Sequence, residues 1–393
     1  MDRRAFIRLV GGGVVMAATA SCAPTGDDPR SAWNNPGADE TDIRRKALSW
    51  AILAPNPHNM QPWRVDLTIA DQVTLYIDRT RLLPVTDPFN RQITIGCGAF
   101  LELLVQALAA YGRTAEVELF PDGEAAPLLD DRPLFRLRLA GAAPRSSSPF
   151  QAILKRRTDR TPYTDRPVSP ETFDLIARHG TSLVPPPGTV TREEASRLPY
   201  AIGGGTVDPQ QVDRLRSLVF QGAEIEATTP AAHRESVERT FIGADDVARH
   251  PWGISLDQPM MAAMNAVGLL TKEKMATPGT TAFKESLKFL KAAADTAQGF
   301  VWIVTEETRR VDEIEAGRAY ARANLQATRM GLAMHPWSQG LQEYATQKPV
   351  FEALHKEITG GRCRIQMLAR IGYPKGDIPP APRRGLDAQI LKA

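Results

Sequence analysis

The sequence predicts an α+β fold of two fused modules, each with a mainly antiparallel sheet flanked by helices. Three observations predict it. Short alternating runs that read as strands recur in both halves. Each half carries one long helical run, and the stretch APRSSSP (143–149) divides them.

The first module spans 42–145. From Asp42, IRRKALSWAIL places Ala47, Ala51 and Leu53 at helical spacing, and Pro55 ends the helix. WRVDLTI and QVTLYID, separated by Ala70-Asp71, read as a hairpin. ITIGCGAFLELLVQALAAYG is a long helix, apolar enough to be buried on most sides. TAEVELF and PLFRLRLAG supply two more strands.

The second module spans 146–393. ILKRRTDRTPYTDRPVSPETFDLIARHG reads as a helix, a loop and another helix. Residues 209–296 form a mostly helical, lid-like region broken by Pro230, Pro251, Pro259 and Pro278. GFVWIVT reads as a buried strand, RRVDEIEAGRAYARANLQATRMGLAM as a helix, and CRIQMLARIGY as a closing strand. Gly203-Gly204-Gly205 lacks the rest of a dinucleotide fingerprint and reads as a turn.

The N-terminus reads as an address. Arg3-Arg4 precede an apolar stretch from Leu9 to Ala20, too short to cross a bilayer as a helix, so residues 1–22 resemble a twin-arginine signal and imply export. Two processing outcomes stay open: cleavage after Ala18-Thr19-Ala20, or lipidation of Cys22 in Thr19-Ala20-Ser21-Cys22. Residues 23–41, rich in Pro, Gly, Asp and Asn, read as a flexible tether.

Composition narrows the function. The chain of 393 residues is 42% hydrophobic and carries a net charge of +3, of which the address supplies +2 (Arg3, Arg4 and Arg8 against Asp2). A near-neutral mature chain argues against nucleic-acid binding. Three cysteines without close spacing (Cys22, Cys97, Cys363) and six dispersed histidines suggest neither a disulfide framework nor a metal site. Cys97 and Cys363 sit in apolar runs and read as inert core residues.

Four stretches carry chemistry. In LAPNPHNMQPWRV, Pro55, Asn56, Pro57, His58 and Asn59 make a rigid polar turn, which can simply reverse the chain or present a binding loop. Trp63 reads as a core anchor. In LKRRTDRTPY, Arg156, Arg157 and Arg160 surround Thr158; guanidinium forks and a hydroxyl suit an oxyanion, although basic runs are often solvated faces. ATRMGLAMHPWSQG ends the long helix at a proline, with His335 as a capping residue in the plain reading. PPAPRRGLD is a basic tail.

These stretches resemble the nitroreductase family, in its Acg-type, fused two-module form. Pro55, Asn59, Gln61, Pro62 and Trp63 match a Pro-Ser-Ser-x-Asn-x-Gln-Pro-Trp loop, with Asn56 and Pro57 where the serines would stand. Arg156, Arg157, Thr158 and Arg160 match an Arg-Arg-Ser-x-Arg motif. The resemblance implies a nitroreductase-like fold and one bound FMN. The implied cofactor contacts are Asn56, His58, Asn59, Gln61, Arg91, Arg156, Arg157, Thr158, Arg160, Pro336, Trp337, Ser338, Arg383 and Arg384. Ser338 is the implied catalytic position, its backbone N–H facing flavin N5; Arg91 would reach the pyrimidine oxygens, and Arg383-Arg384 would close the phosphate site. Family members work as homodimers with two such sites. Here the loop lies in the first module and the arginine motif in the second, and Arg44-Arg45 lacks the following hydroxyl. That order implies one FMN per chain and allows a monomer to function. The expected activity is an FMN-dependent oxidoreductase passing electrons through flavin N5 from a small donor such as NAD(P)H to a nitroaromatic or quinone. A non-catalytic flavin store under the lid-like region is the alternative. The expected partners are these small molecules and the twin-arginine export machinery, with a membrane engaged only through a lipid on Cys22.

Overall fold

The computed structural model describes residues 28–142, 149–182 and 200–392. The signal read at 1–22, the start of the tether and most of the dividing linker lie outside the described residues.

The first module opens with α1 (Ile43–Ala51), capped by the Asp42 carboxylate accepting from Arg44 N–H. Then come β1 (Trp63–Asp66), β2 (Gln72–Ile77), α2 (Arg91–Ala110), β3 (Arg113–Leu119) and β4 (Phe135–Ala142). Their sheet runs β1-β2-β4-β3, antiparallel throughout. The second module has α3 (Pro170–His179) and β5 (Ile202–Thr206). A helical insertion follows: α4 (Pro209–Thr228), α5 (Pro230–Glu238), β6 (Thr240–Ile242), α6 (Ala244–Arg249), β7 (Ile254–Leu256), α7 (Pro259–Ala266), α8 (Lys272–Ala276) and α9 (Thr281–Asp295). Next are β8 (Gly299–Thr305), α10 (Arg310–Arg329), β9 (Ala333–Pro336), α11 (Lys348–Thr359) and β10 (Arg364–Gly372). This sheet runs β5-β8-β10-β9, again antiparallel.

Taken in chain order within each sheet, both orders are first-second-fourth-third, and a 20-residue helix joins second strand to third in each. The two modules are therefore topological copies. The insertion sits at the connection between first and second strands, which in the first module is only the turn 67–71.

The copies meet along α2 and α10. Gly98 stands seven residues after Arg91, and Gly317 seven after Arg310. A Cβ on Gly98 would lie 2.0 Å from the Ile314 carbonyl oxygen, and one on Gly317 1.9 Å from that of Ile95. The helices thus touch backbone to backbone at matching positions, which no larger residue allows. Ile314, Ala321 and Leu325 of α10 join the first module's core, where Trp63 is fully buried beside Phe100 at 4.9 Å between centroids.

Several elements differ from the expectation. Gly203–Gly205 belong to strand β5, because Trp302 lies over Gly204 and the α3 backbone closes on Gly203 (a Cβ there would be 2.1 Å from the Ala177 carbonyl oxygen). The first helix expected in ILKRRTDRTPYTDRPVSPETFDLIARHG does not form; a single turn, Phe150–Ala152, precedes the stretch and an extended loop follows. α10 stops at Arg329: Gly331 adopts φ +74°, turning the chain into β9 before His335. Residues 28–41 are docked rather than free. Trp33 is buried and donates its indole N–H to the Ala381 carbonyl (2.8 Å), and Arg30 pairs with Asp257 (2.6 Å). Cys97 is fully buried, which pushes its thiol pKa well up, whereas Cys363 is half-buried.

Candidate functional site

The loop between α1 and β1 is shaped before any ligand arrives. His58, Asn59 and Gln61 all have positive φ (46°, 52° and 50°), a conformation non-glycine residues hold only when their surroundings impose it. Asn56 imposes part of it: its Oδ1 accepts from Gln61 N–H (2.8 Å) and its Nδ2 donates to Ala54 O (3.1 Å). Asn59 Nδ2 donates to Gly253 O and Pro382 O, and Gln61 Nε2 to Pro251 O (3.0 Å). Gly96 of α2 leaves the room needed, since a Cβ there would stand 3.1 Å from both Asn56 Cβ and Pro57 Cδ.

The C-terminal basic pair belongs to this scaffold. Arg383, buried, donates from Nε to Ile52 O (2.8 Å) and from Nη2 to Leu53 O and Ala54 O, the last carbonyls of the α1 turn. Its Nη1 donates to Asn59 Oδ1 (2.6 Å) and Pro382 O. Every N–H of that guanidinium is committed, so it does not close a phosphate site. Arg384 gives its backbone N–H to Gln61 Oε1 (2.8 Å) and its side chain to Gln61 O and Ala388 O. Arg91 is likewise a strut, held by Glu343 (3.0 Å), Gln366 O and Leu341 O, and not directed at a ligand.

Arg156 is different. It is buried and bonds Leu53 O through Nη2 (3.2 Å), while Nε and Nη1 are buried with no partner. Desolvation, then repulsion from Arg157, lowers its pKa to about 10. An uncompensated guanidinium asks for an anion. Around it, Arg156, Arg157 and Arg383 lie 5.9, 5.0 and 5.2 Å from the Trp33 ring, whose π face eases their crowding. Trp33 escaped the sequence reading; the signal was a lone tryptophan in an otherwise polar stretch. Arg157 donates from Nε to Ile378 O and from Nη1 to Leu154 O and Arg156 O, which ties it to its own loop.

Thr158 forms a parallel bridge with Met334, which brings the arginine loop beside β9 and the turn beyond it. Arg160 is exposed, and desolvation by the surrounding protein, with repulsion from Arg370, lowers its guanidinium pKa. Past β9, Trp337 is fully buried with its indole N–H on Val219 O (2.7 Å), packed in the core under α4 rather than beside a ring. Pro336 and Ser338 are half-buried. Among the described residues, Ser338 N–H has no hydrogen-bond partner, while Ser338 O accepts from Leu341 N–H (2.9 Å).

His335 carries a defined proton. Arg370 Nε donates to its Nδ1 (3.0 Å), and an arginine can only donate. Burial and the adjacent Arg370 hold the His335 pKa well below the usual imidazole range, so the ring is neutral and protonated on Nε2.

The matching basic pair of the first module is neutralised. Arg44 bonds Asp42 and the carbonyls of Leu67, Ile69 and Gln72; Arg45 bonds Glu40 (2.6 Å) and Asp387 (2.6 Å). Of the two basic pairs, it is therefore the one at Arg156 that holds the anion-demanding group. The seam there joins the 54–62 loop of one module to the Arg156–Arg160 loop and Ser338 of the other.

No family model matches the chain. It is 29% identical over 361 residues to Rv3131 of Mycobacterium tuberculosis, provisionally named an NAD(P)H nitroreductase, covering 89% of this chain and 92% of that one. It is 38% identical over 148 residues to the acg protein of the same organism, also provisionally named an NAD(P)H nitroreductase (35% of this chain, 39% of that one). Among solved structures, the FMN-dependent nitroreductase NfnB of Mycobacterium smegmatis matches 62% of this chain and 96% of its own at 15% identity and TM-score 0.36. NfnB from a Sphigopyxis strain matches at 16% identity, 63% and 99% coverage and TM-score 0.38. Along almost nine-tenths of its length, the chain is therefore similar to a mycobacterial protein provisionally named an NAD(P)H nitroreductase.

Proposed function

We propose that this chain is an FMN-dependent oxidoreductase of the nitroreductase type, holding one flavin in the seam between its modules. The observation that carries the reading is Arg156, buried with two donor nitrogens, Nε and Nη1, unspent beside Thr158, on the side where the partner module supplies His58, Asn59 and Gln61. A flavin phosphate satisfies that demand. The similarity to proteins named NAD(P)H nitroreductases supports the same reading. FMN, when bound, supplies hydride acceptance and donation at N5.

The residues of the chain do the rest. Arg156 and Thr158 would hold the phosphate. The Ser338 N–H is the free backbone donor near β9 and suits N5. Arg383 and Arg384 act one step removed, fixing the backbone of Asn59 and Gln61. A nicotinamide nucleotide is the proposed donor, with a nitroaromatic or quinone as acceptor. Because Arg44 and Arg45 are spent on carboxylates and carbonyls, the stoichiometry is one flavin per chain. For the N-terminus, twin-arginine export followed by cleavage or lipidation at Cys22 is proposed; mass spectrometry of the mature N-terminus checks it.

A flavin store is the second reading. It is favoured by the insertion's grip on the cofactor loop, where Gly253 N–H donates to Asn59 O (3.0 Å) and Gln61 donates to Pro251 O. One experiment separates the two. Anaerobic NADPH added to the yellow protein should bleach the flavin band. If only dithionite bleaches it, turnover with this donor is refuted; a colourless protein refutes flavin binding altogether.

A further inference from the structure

We propose that the outer face of α7 and the turn after it form a lipid-docking surface, through which the folded body of this protein lies against a membrane. The occupant is a phospholipid bilayer surface, met by Met260, Val267 and Leu269. The inference does not depend on the flavin reading; it rests on the N-terminal reading above for the side from which the lipid comes.

The stretch from Gln258 to Leu270, QPMMAAMNAVGLL, holds no charged residue, and α7 within it has no buried one. A surface helix normally turns a polar stripe outward. Here the inner side is served by Met261 and Met264, which pack against Ile242, Leu270 and Ala282. The outer side carries Met260, Ala263 and Val267, at the i, i+3, i+7 spacing of a single stripe. Met260 is 42% exposed, Val267 70% and Leu269 46%; three of the ten exposed large hydrophobic side chains among the described residues thus fall within ten residues. Gly268, between Val267 and Leu269, has φ +70° and nothing within 4 Å of a would-be Cβ, so the tip of this turn is open. A contiguous apolar patch of this kind marks a contact surface.

What lies beside the patch decides the occupant. Asp28 is the first described residue, and Arg30 fastens that segment to the body, from Nη2 to Asp257 (2.6 Å) and from Nε to Pro380 O (2.7 Å). Asp257 stands two residues before α7, so the chain preceding Asp28 joins the body next to the patch. Cys22 is six positions upstream of Asp28, a reach of at most about 20 Å. The apolar stretch from Leu9 to Ala20 comes directly before it. A lipid on Cys22, or that stretch itself, would hold a membrane close to Met260, Val267 and Leu269. Charge adds a smaller part. Lys274 Nζ donates to Gly268 O at the tip and Lys272 Nζ to Glu238 O, and Glu273 is exposed between them. Two lysines against one acid favour anionic headgroups modestly, so burial of the apolar side chains is the main attraction.

The test uses the full chain and vesicles of phosphatidylcholine and phosphatidylglycerol mixed four to one. Co-sedimentation reads binding, and amide hydrogen exchange reads which segment meets the lipid. On vesicles, the amides of 258–270 should exchange at least about fivefold more slowly than in vesicle-free buffer. Those of the 67–71 turn, which carries the exposed Ile69, should not change. Val267→Asp combined with Leu269→Asp should abolish the slowing, even in chains that the N-terminus keeps on the vesicles, because charged side chains at the tip oppose burial in lipid. Ile69→Asp is the control and should leave the slowing intact. Unchanged exchange at 258–270 in vesicle-bound chains overturns the proposal, and so does a chain that does not bind vesicles. Slow exchange that is present without vesicles and released by the same double variant overturns it too. Residues 9–20 or a second copy would then be the occupant, which sedimentation velocity tells apart. Should mass spectrometry find cleavage after Ala20 and no lipid, the N-terminal reading fails by itself, and exchange on the purified chain still decides the surface.

Discussion

Replacing Arg156 with methionine should stabilise the flavin-free protein while removing its cofactor. The guanidinium is 2% exposed, with one bond to Leu53 O and two donors unspent. Each buried, unsatisfied donor costs about 1–3 kcal/mol. The same loss of solvation lowers the pKa to about 10 from 12.5, which corresponds to roughly 3 kcal/mol against the charged form. The sign follows from proton counting. Between pH 10 and 12.5 the unfolded chain holds the Arg156 proton and the folded chain does not, so stability rises with pH there. At neutral pH the penalty is present in full. Methionine keeps much of the volume and removes the charge, so the flavin-free variant should gain about 1–3 kcal/mol, less whatever packing is lost. Against this, two charge-assisted bonds to a phosphate are worth about 1.5–3 kcal/mol each, so FMN affinity should drop at least about a hundredfold. Denaturant melts of the flavin-free protein and FMN titration by fluorescence quenching measure the two effects. Arg45→Gln is the comparison: its partners are partly exposed carboxylates, so stability should change by no more than about 1 kcal/mol and FMN affinity should not change. Loss of stability in Arg156→Met with normal FMN binding would refute the assignment, because Arg156 would then be an ordinary structural arginine.

Other outcomes follow from the same geometry. Gly98→Ala should cost more than about 3 kcal/mol in a denaturant melt, because its Cβ would sit 2.0 Å from the Ile314 carbonyl oxygen and part α2 from α10; an exposed glycine such as Gly376, with open space at its Cβ, should tolerate alanine. His58, held at about 4 when folded and near 6.5 when unfolded, favours unfolding as pH falls through that window; denaturant melts of His58→Gln should show a shallower acid limb than the parent between pH 6.5 and 4. Glu102→Ala should destabilise by at most about 3–5 kcal/mol, since Arg318 and Arg322, 3.2 and 3.1 Å away, are then left to share the single carboxylate of Glu315, and it should not add a second flavin to the stoichiometry measured by absorbance.

Much of this architecture was legible because it rests on local signals. The apolar run that became α2, the alternating strands of both sheets and the two motif loops lie where their residues placed them. What was hidden depends on partners distant in sequence. Gly203–Gly205 look like a turn until Trp302 and the α3 backbone close on them. Arg383 looks like a free cation until the carbonyls of Ile52, Leu53 and Ala54 appear beside it, 329 to 331 residues away. Trp337 looks like a neighbour for a ring until its indole N–H finds Val219 on α4. Periodicity reports which face of an element is buried; it does not report what the buried donors bond to. Hence the arginines were easy to find and hard to sort. Arg91 and Arg383 spend their donors on protein acceptors, whereas Arg156 keeps both Nε and Nη1 buried and unpartnered.

The copied topology explains why one side kept its reserve and the other lost it. Gly96 stands five residues after Arg91, and its counterpart five residues after Arg310 is Glu315. On the first side, the bare Gly96 lets the backbone of Asn56 and Pro57 approach α2, with a would-be Cβ already at 3.1 Å. On the second side, the Glu315 carboxylate fills the matching position. It accepts from Ser182 Oγ (2.9 Å) and from Arg322 (2.9 Å), and Arg318 and Arg322 then reach across to Glu102 on α2. Glu315, Arg322, Arg318 and Glu102 thus form a four-membered ion network, and breaking one of its buried pairs would cost about 3–5 kcal/mol. Among the described residues, the same duplication thus sets a bare glycine against the Asn56-Pro57 backbone on one side and a paired carboxylate at the matching position on the other. That difference is set by single side chains, Gly96 against Glu315, on helices of equal length that cross at equivalent glycines.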